Sequence, residues 1–129
     1  MIESKYLKGK QGEDIAAKLL LENGYFIAAR NYRSDIGEID IIAENRRHVL
    51  FVEVKLRSSS AGYMPREAVT ADKRRRLVYT AKNYIYKSHN NLPPRFDIIE
   101  IIQNKNGRLK DTEVNWIKNA FGVSSDDFL

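Results

Sequence analysis

The sequence predicts an α/β fold in which a mixed central β-sheet is flanked by helices on both faces. Two observations predict it: segments of helical and strand periodicity follow in the order αβββαββ, and the second helix separates two strongly strand-forming segments. A strand, a helix and a second strand in one sheet form a right-handed crossover, so these two strands should be parallel. The 129 residues, 43% of them apolar, suit a single domain over residues 1–129.

The first half of the chain supplies a helix and three strands. Apolar side chains recur at helical spacing over residues 10–23, and Gly24 suits the left-handed residue that often ends a helix. Segments rich in aromatic and branched side chains then alternate with short polar turns. We therefore predict three strands that pair as an antiparallel meander, over residues 25–33, 37–44 and 48–57.

The second half supplies one helix and two further strands. Residues 58–62 predict a flexible loop, and Thr70 is a suitable cap for a helix that runs to about residue 87. Two adjacent prolines then break the chain before the next apolar segment. We predict strands over residues 95–102 and 114–117, with a hairpin turn at Asn106-Gly107 before the last of them.

The chain has no cysteine and only two histidines. The missing thiol excludes disulfide frameworks, thiol nucleophiles and thiolate zinc sites. His48 and His89 have no second histidine at ligand spacing, so we do not expect either of them to bind a metal. Any metal would therefore be a hard cation held mainly by oxygen.

The chain is basic, with 22 Lys and Arg against 17 Asp and Glu and a net charge of +5, which suggests a polyanionic partner. The excess is concentrated in residues 55–87, which contain nine basic residues and only two acidic ones, Glu67 and Asp72. No window has the apolar length of a signal peptide core or of a membrane span. We therefore expect a cytoplasmic protein without a membrane partner.

Charged side chains interrupt two strands that are otherwise apolar. Glu53 and Lys55 lie two residues apart in the third strand and so share one face, and Asp40 stands among isoleucines in the second strand. An unpaired ion buried in a central strand costs several kcal/mol, so something must compensate these charges. Two answers remain open. In the first, Glu53 and Lys55 form an ion-paired patch on the surface. In the second, Asp40 and Glu53, which stand on neighbouring strands about 5 Å apart, hold a divalent cation.

Two further acids lie near this position in the predicted fold. Glu13 is in a helical row with Ala16, Ala17 and Leu20, so we expect it to lean toward the sheet. It can equally be a first-turn acid that complements the helix dipole. Glu38 stands at the start of its strand and is the less attractive ligand, although it could support one.

Six segments carry a resemblance to a known family: residues 12–17 (GEDIAA), 31–33 (NYR), 37–43 (GEIDIIA), 51–57 (FVEVKLR), 95–97 (RFD) and 116–121 (WIKNAF). Over nearly the whole chain the sequence resembles the YraN-like family of bacterial proteins. That family is catalogued as uncharacterised and is similar to the PD-(D/E)XK, or restriction-endonuclease-like, nucleases, with archaeal Holliday-junction resolvases among the relatives.

The resemblance implies a restriction-endonuclease-like αβββαββ fold and assigns roles to individual residues. Asp40 takes the place of the motif's aspartate, Glu53 that of its second acid and Lys55 that of its lysine. Glu13 matches the helix-one acid of the resolvases. Ile39 stands where the superfamily's name has a proline, and Gly-Glu-Ile-Asp is the family's own form of the motif.

These residues would support hydrolysis of phosphodiester bonds with Mg²⁺ or Mn²⁺. Asp40 and Glu53 would hold the cation, with the carbonyl of Val54 as a backbone ligand. Lys55 would orient or help deprotonate the attacking water, and Glu13 would bind a second metal or position a water. The predicted catalytic residues are therefore Glu13, Asp40, Glu53 and Lys55.

Contacts to nucleic acid are predicted for Arg57 and for four consecutive basic residues, Lys73, Arg74, Arg75 and Arg76. Four consecutive residues spread over all sides of a helix, so this run can equally be a solvated face. Tyr63 and Met64 could stack on bases or pack in the core or against a partner.

We therefore predict a metal-dependent endonuclease that cleaves DNA, with branched or otherwise structured DNA as one substrate class. The rivals are a non-catalytic nucleic-acid-binding or repair-accessory module on the same fold, and a protein-interaction scaffold. Resolvase relatives are two-fold dimers, so a homodimer is a further hypothesis. Asp97 follows Arg95 in an apolar strand and is either a paired structural acid or a support of the site.

Overall fold

Seven elements build the protein, and a computed structural model describes them over residues 9–58, 70–103 and 112–121. They are α1 (Gly9–Glu22), β1 (Phe26–Arg33), β2 (Glu38–Glu44), β3 (Val49–Ser58), α2 (Ala71–Ser88), β4 (Pro94–Gln103) and β5 (Glu113–Ile117). The predicted order αβββαββ is confirmed. Most of the predicted loop 58–62, with Tyr63 and Met64, and the predicted turn at Asn106-Gly107 lie outside the described residues.

The five strands form one mixed sheet in the order β1-β2-β3-β4-β5. The first three strands pair as the predicted antiparallel meander, and β3 pairs with β4 in parallel after the crossover through α2. The last strand pairs with β4 in antiparallel fashion. The predicted mixed sheet is therefore confirmed, and β3 lies at its centre.

One helix covers each face of the sheet, and two clusters of buried side chains result. The α1 face takes alternate residues of β3, and the α2 face takes the other set, as the period of two dictates. The first cluster joins Ala16 and Leu20 of α1 to sheet residues Leu50, Val52, Ile99 and Ile101. The second joins Leu77 and Ala81 of α2 to sheet residues Ile39, Val49, Phe51 and Phe96. Neither described helix is long and apolar enough to cross a membrane.

The start of α2 is fixed by the predicted cap. Thr70 has an extended backbone, and its hydroxyl oxygen accepts a hydrogen bond from the backbone N–H of Lys73 at 3.1 Å. The cap places Lys73 in the first turn of the helix. The helix ends at His89, which has the left-handed backbone conformation (φ 54°) of a helix terminus.

Asp97 is a structural acid that joins β4 to the end of the chain. Arg95 donates to both of its carboxylate oxygens, at 2.9 and 2.7 Å. The indole N–H of Trp116 and the backbone N–H of Asn119 complete the set, at 2.8 and 2.9 Å. The first of the two interpretations of Asp97 is therefore correct, because four donors satisfy a carboxylate whose side chain is 0% exposed.

Candidate active site

The candidate site lies where β2 separates from β3. Their pairing runs from Glu44 opposite Val49 to Ile41 opposite Val52, and one more step in this register sets Asp40 opposite Glu53. A regular ladder would then pair Val54 with Ile39. Instead, the backbone N–H of Val54 donates to Oδ2 of Asp40 at 2.8 Å. The Asp40 carboxylate thus takes a place in the sheet that a backbone carbonyl would otherwise fill.

The environment of Asp40 raises the pKa of its carboxyl group. Burial raises its pKa to about 6, and the negative charges of Glu53, Glu13 and Glu38 act in the same direction. The hydrogen bond from Val54 opposes this rise but does not cancel it. A partly buried carboxylate among other acids is costly to ionise, and a bound cation would remove that cost.

Glu53 lies on the α2 face of β3, where two lysines meet one of its oxygens. Oε1 is 2.8 Å from Nζ of Lys73 and 3.2 Å from Nζ of Lys55, and the Glu53 side chain is only 13% exposed. Burial and the neighbouring Lys73 lower the pKa of Lys55. Burial by itself would also lower the pKa of Lys73, but the hydrogen bond to Glu53 and the attraction of nearby carboxylates raise it. Lys55 is therefore the ammonium that loses its proton more readily.

A cleft of about 520 Å³ opens over Asp40 and Glu53. Thr70, Lys73 and Arg76, from the first part of α2 and its cap, line the opposite wall. In a strand, the N–H and C=O of one residue point to the same side, so the carbonyl of Val54 also faces β2 beyond the last described pair. The cleft thus brings together the predicted ligands Asp40 and Glu53, and the backbone of Val54 reaches Asp40 through its N–H.

Glu13 approaches from α1, on the other face of the sheet, and does not line this cleft. Its side chain is 17% exposed, as the predicted lean toward the sheet requires. Oε1 accepts hydrogen bonds from Arg30 at 3.4 Å and from Asn31 at 3.3 Å, both on β1. Its charge nevertheless reaches Asp40. Glu13 therefore contributes negative potential to the site from a position behind it.

The basic residues predicted to contact nucleic acid fall into different environments. Arg57 is 20% exposed, and its Nε lies 4.0 Å from Oε2 of the buried Glu100 on β4. Arg75 and Arg76 both pair with Asp72, at 3.4 and 2.6 Å. Arg74 is exposed. The run that begins at Lys73 therefore does spread around the helix, and of its four members Lys73 and Arg76 line the cleft.

Sequence reasoning missed two features of the site. The contact between Lys73 and Glu53 was not predicted; the signal was the place of Lys73 four residues before the buried Leu77 and eight before Ala81. Asn31 stands in one of the six segments that carry the resemblance but was given no role, yet it has a left-handed backbone (φ 52°) and donates to Glu13. Asparagine tolerates this conformation, but nothing in the local sequence indicates it.

The donor set of the site fits Mg²⁺ or Mn²⁺ better than a transition metal that prefers nitrogen or sulfur. Among the described residues no group of three or more His, Asp or Glu side chains converges to hold an ion. Mg²⁺ needs only one or two carboxylates, because it keeps several waters. Asp40 and Glu53, which line the same cleft, meet that requirement.

Comparisons with known proteins point to one family. The model of "Uncharacterised protein family UPF0102" matches residues 12–101. A UPF0102 protein of Chlorobium phaeobacteroides is 44% identical over 116 residues, which cover 88% of this chain and 92% of the relative. One of Clostridioides difficile is 44% identical over 115 residues, 88% of this chain and 96% of the relative. One of Lachnoclostridium phytofermentans is 40% identical over 120 residues, which cover 92% of this chain and 95% of the relative.

Proposed function

This chain belongs to the uncharacterised protein family UPF0102, also called the YraN family, and we propose that it is a metal-dependent endonuclease acting on DNA. The observation that carries the proposal is the meeting of Asp40, Glu53 and Lys55 beside a cleft. Their arrangement in an αβββαββ domain supports the resemblance to PD-(D/E)XK nucleases stated from the sequence. Branched or otherwise structured DNA is the substrate class that the resolvase resemblance favours.

Asp40 and Glu53 would hold Mg²⁺ or Mn²⁺, with the carbonyl of Val54 as a third oxygen. A cation held there would lower the pKa of a water and offset the charge of the phosphoryl oxygens. The cost of ionising Asp40 supports this role, since a protein that needed no cation here would gain stability from a neutral side chain.

Lys55 would act on the attacking water. Its Nζ stands 3.2 Å from Glu53, and burial lowers its pKa, so it can accept a proton or hold a water more readily than an exposed lysine can. Glu13 would act through its charge, which favours cation binding at Asp40. Arg76 lines the cleft and is placed to contact a substrate phosphate.

A nucleic-acid-binding module without catalysis is the second candidate, and one observation favours it. Lys55 and Lys73 already offset the charge of Glu53, so the acid has partners without any metal. In that case the basic residues would bind the phosphate backbone, and the acids would serve the fold alone.

Incubation of linear and branched DNA with Mn²⁺ tests the proposal, with the wild type compared to Asp40→Asn. The enzyme predicts that the variant cuts at least about a hundredfold more slowly while its DNA binding is retained. Glu22→Gln is the matched control, because it removes the same charge from an exposed side chain at the end of α1, where it pairs with Lys18 and does not line the cleft. Cleavage by neither protein, together with salt-sensitive binding by both, would favour the non-catalytic module.

A further inference from the structure

The two lysines on Glu53 carry an inference that rests on the proposed function. We propose that Lys73 stands in for the cation at Glu53 while the site is free of metal, and moves to a substrate phosphate when a cation binds. Lys73 would then couple the two ligands, because metal binding at Glu53 releases its ammonium for the DNA phosphate.

The charges around Glu53 are unequal. Both ammonium groups approach the same oxygen, Oε1, at 2.8 Å for Lys73 and 3.2 Å for Lys55. Glu53 offers one negative charge to two ammonium groups that meet at the same oxygen, so each ammonium weakens the other's hold on Glu53. A divalent cation on the same carboxylate would add two more positive charges. An ammonium that stayed on Glu53 would then be repelled by the cation.

Lys73 is the one that can leave. Its side chain is 40% exposed, against 25% for Lys55, which projects from the central strand β3. Lys73 is also in the first turn of α2, where the positive end of the helix dipole disfavours a cation. Its hold on that position therefore depends on Glu53, and its flexible stem allows the ammonium to turn into the cleft that it lines.

In the cleft, the Lys73 ammonium would bind a phosphate of the substrate. Arg76 lines the same wall one helical turn further along, so a phosphate bound there would meet a second cationic side chain. Once a metal has taken Glu53, the Lys73 ammonium lacks its carboxylate partner, and a phosphate oxygen replaces it. Metal should therefore strengthen DNA binding through Lys73, and DNA should strengthen metal binding in return.

Calorimetric titration with Mn²⁺ in the absence of DNA tests the first half of the proposal. Lys73→Gln should bind Mn²⁺ roughly fivefold or more tightly than the wild type, because the competing ammonium is gone. Arg74→Gln removes the same charge one residue away from an exposed position, and its affinity should stay within about twofold of the wild type. Unchanged or weaker Mn²⁺ binding by Lys73→Gln, or an equal gain in Arg74→Gln, would overturn the proposal.

Fluorescence anisotropy with a short duplex DNA tests the second half. Lys73→Gln should lose roughly fivefold or more of its DNA affinity in Mn²⁺ but less than about twofold in EDTA, with the DNA checked as intact on a gel. An equal loss in both buffers would overturn the transfer to phosphate. A purely structural Lys73 would lower the melting temperature in EDTA and leave both affinities unchanged. None of these readouts needs cleavage, so they stand even if the proposed nuclease activity fails.

Discussion

Replacing Asp40 by asparagine is expected to stabilise the metal-free protein at neutral pH while it removes the proposed activity. The carboxyl has a pKa of about 6 in the fold and 3.8 in an unfolded chain, so the folded state binds the proton more tightly. Proton binding by Asp40 therefore stabilises the folded state. This stabilisation is fully present at pH values below the unfolded-state pKa and is lost as the pH rises through the folded-state pKa. At pH 7.5 the ionised carboxylate therefore lowers the free energy of unfolding, and the neutral asparagine does not have this effect.

The magnitude follows from the pKa difference. Two units correspond to about 3 kcal/mol, and the part of the side chain that still meets water reduces this to about 1–2 kcal/mol. For a domain of this size that is a rise in melting temperature of roughly 3–8 °C. The amide oxygen of asparagine can still accept the N–H of Val54, so the strand geometry should survive.

Thermal unfolding in EDTA at pH 4 and pH 7.5 measures the effect. The melting temperature of the variant should exceed that of the wild type at pH 7.5. The two melting temperatures should approach each other at pH 4, where Asp40 of the folded wild type is mostly protonated. Mn²⁺ should then raise the melting temperature of the wild type and leave that of the variant almost unchanged. A variant that is less stable at both pH values, or a difference that does not depend on pH, would refute the reasoning.

Two further substitutions test the fold around the site. Asp97→Ala should lower the free energy of unfolding in urea by about 3–5 kcal/mol, because it leaves the half-buried Arg95 without its acid; a loss below about 1 kcal/mol would contradict the role assigned to that cluster. Gly37→Ala should lower it by about 1–3 kcal/mol, because a Cβ there would meet Oγ1 of Thr80 at 2.9 Å and the carbonyl of Arg76 at 3.3 Å. The penalty of Gly37→Ala should shrink in a Thr80→Ala background, and an undiminished penalty would mean that the contact with Thr80 is not its cause.

The fold was predictable because each element carries its own local signal. Thr70 marked the start of α2, which begins at the next residue, and the alternation around Glu53 placed the apolar residues of β3 under α1. The meander also brought Asp40 and Glu53 to the same cleft. These features depend on periods of 2 and 3.6 and on capping, which short stretches of sequence contain.

The parts of the site that escaped prediction depend on contacts between distant segments. Whether Lys73 or one of its three basic neighbours meets Glu53 is decided by how α2 rotates against the sheet. The left-handed Asn31 and the separation of β2 from β3 arise between strands, and no local pattern encodes them. The same holds for the partners of Asp97, since Trp116 and Asn119 reach it from β5 and the residues after it.

The bond between the Val54 amide and Asp40 makes position 40 a diagnostic one across proteins of this architecture. Folding alone asks for an oxygen acceptor there, and asparagine would supply it without the burden of a buried charge. A relative without the proposed activity would be free to carry asparagine there, whereas alanine would leave the Val54 N–H without an acceptor and weaken the sheet. An aspartate retained at this point is thus a residue that the fold itself does not need in its charged form.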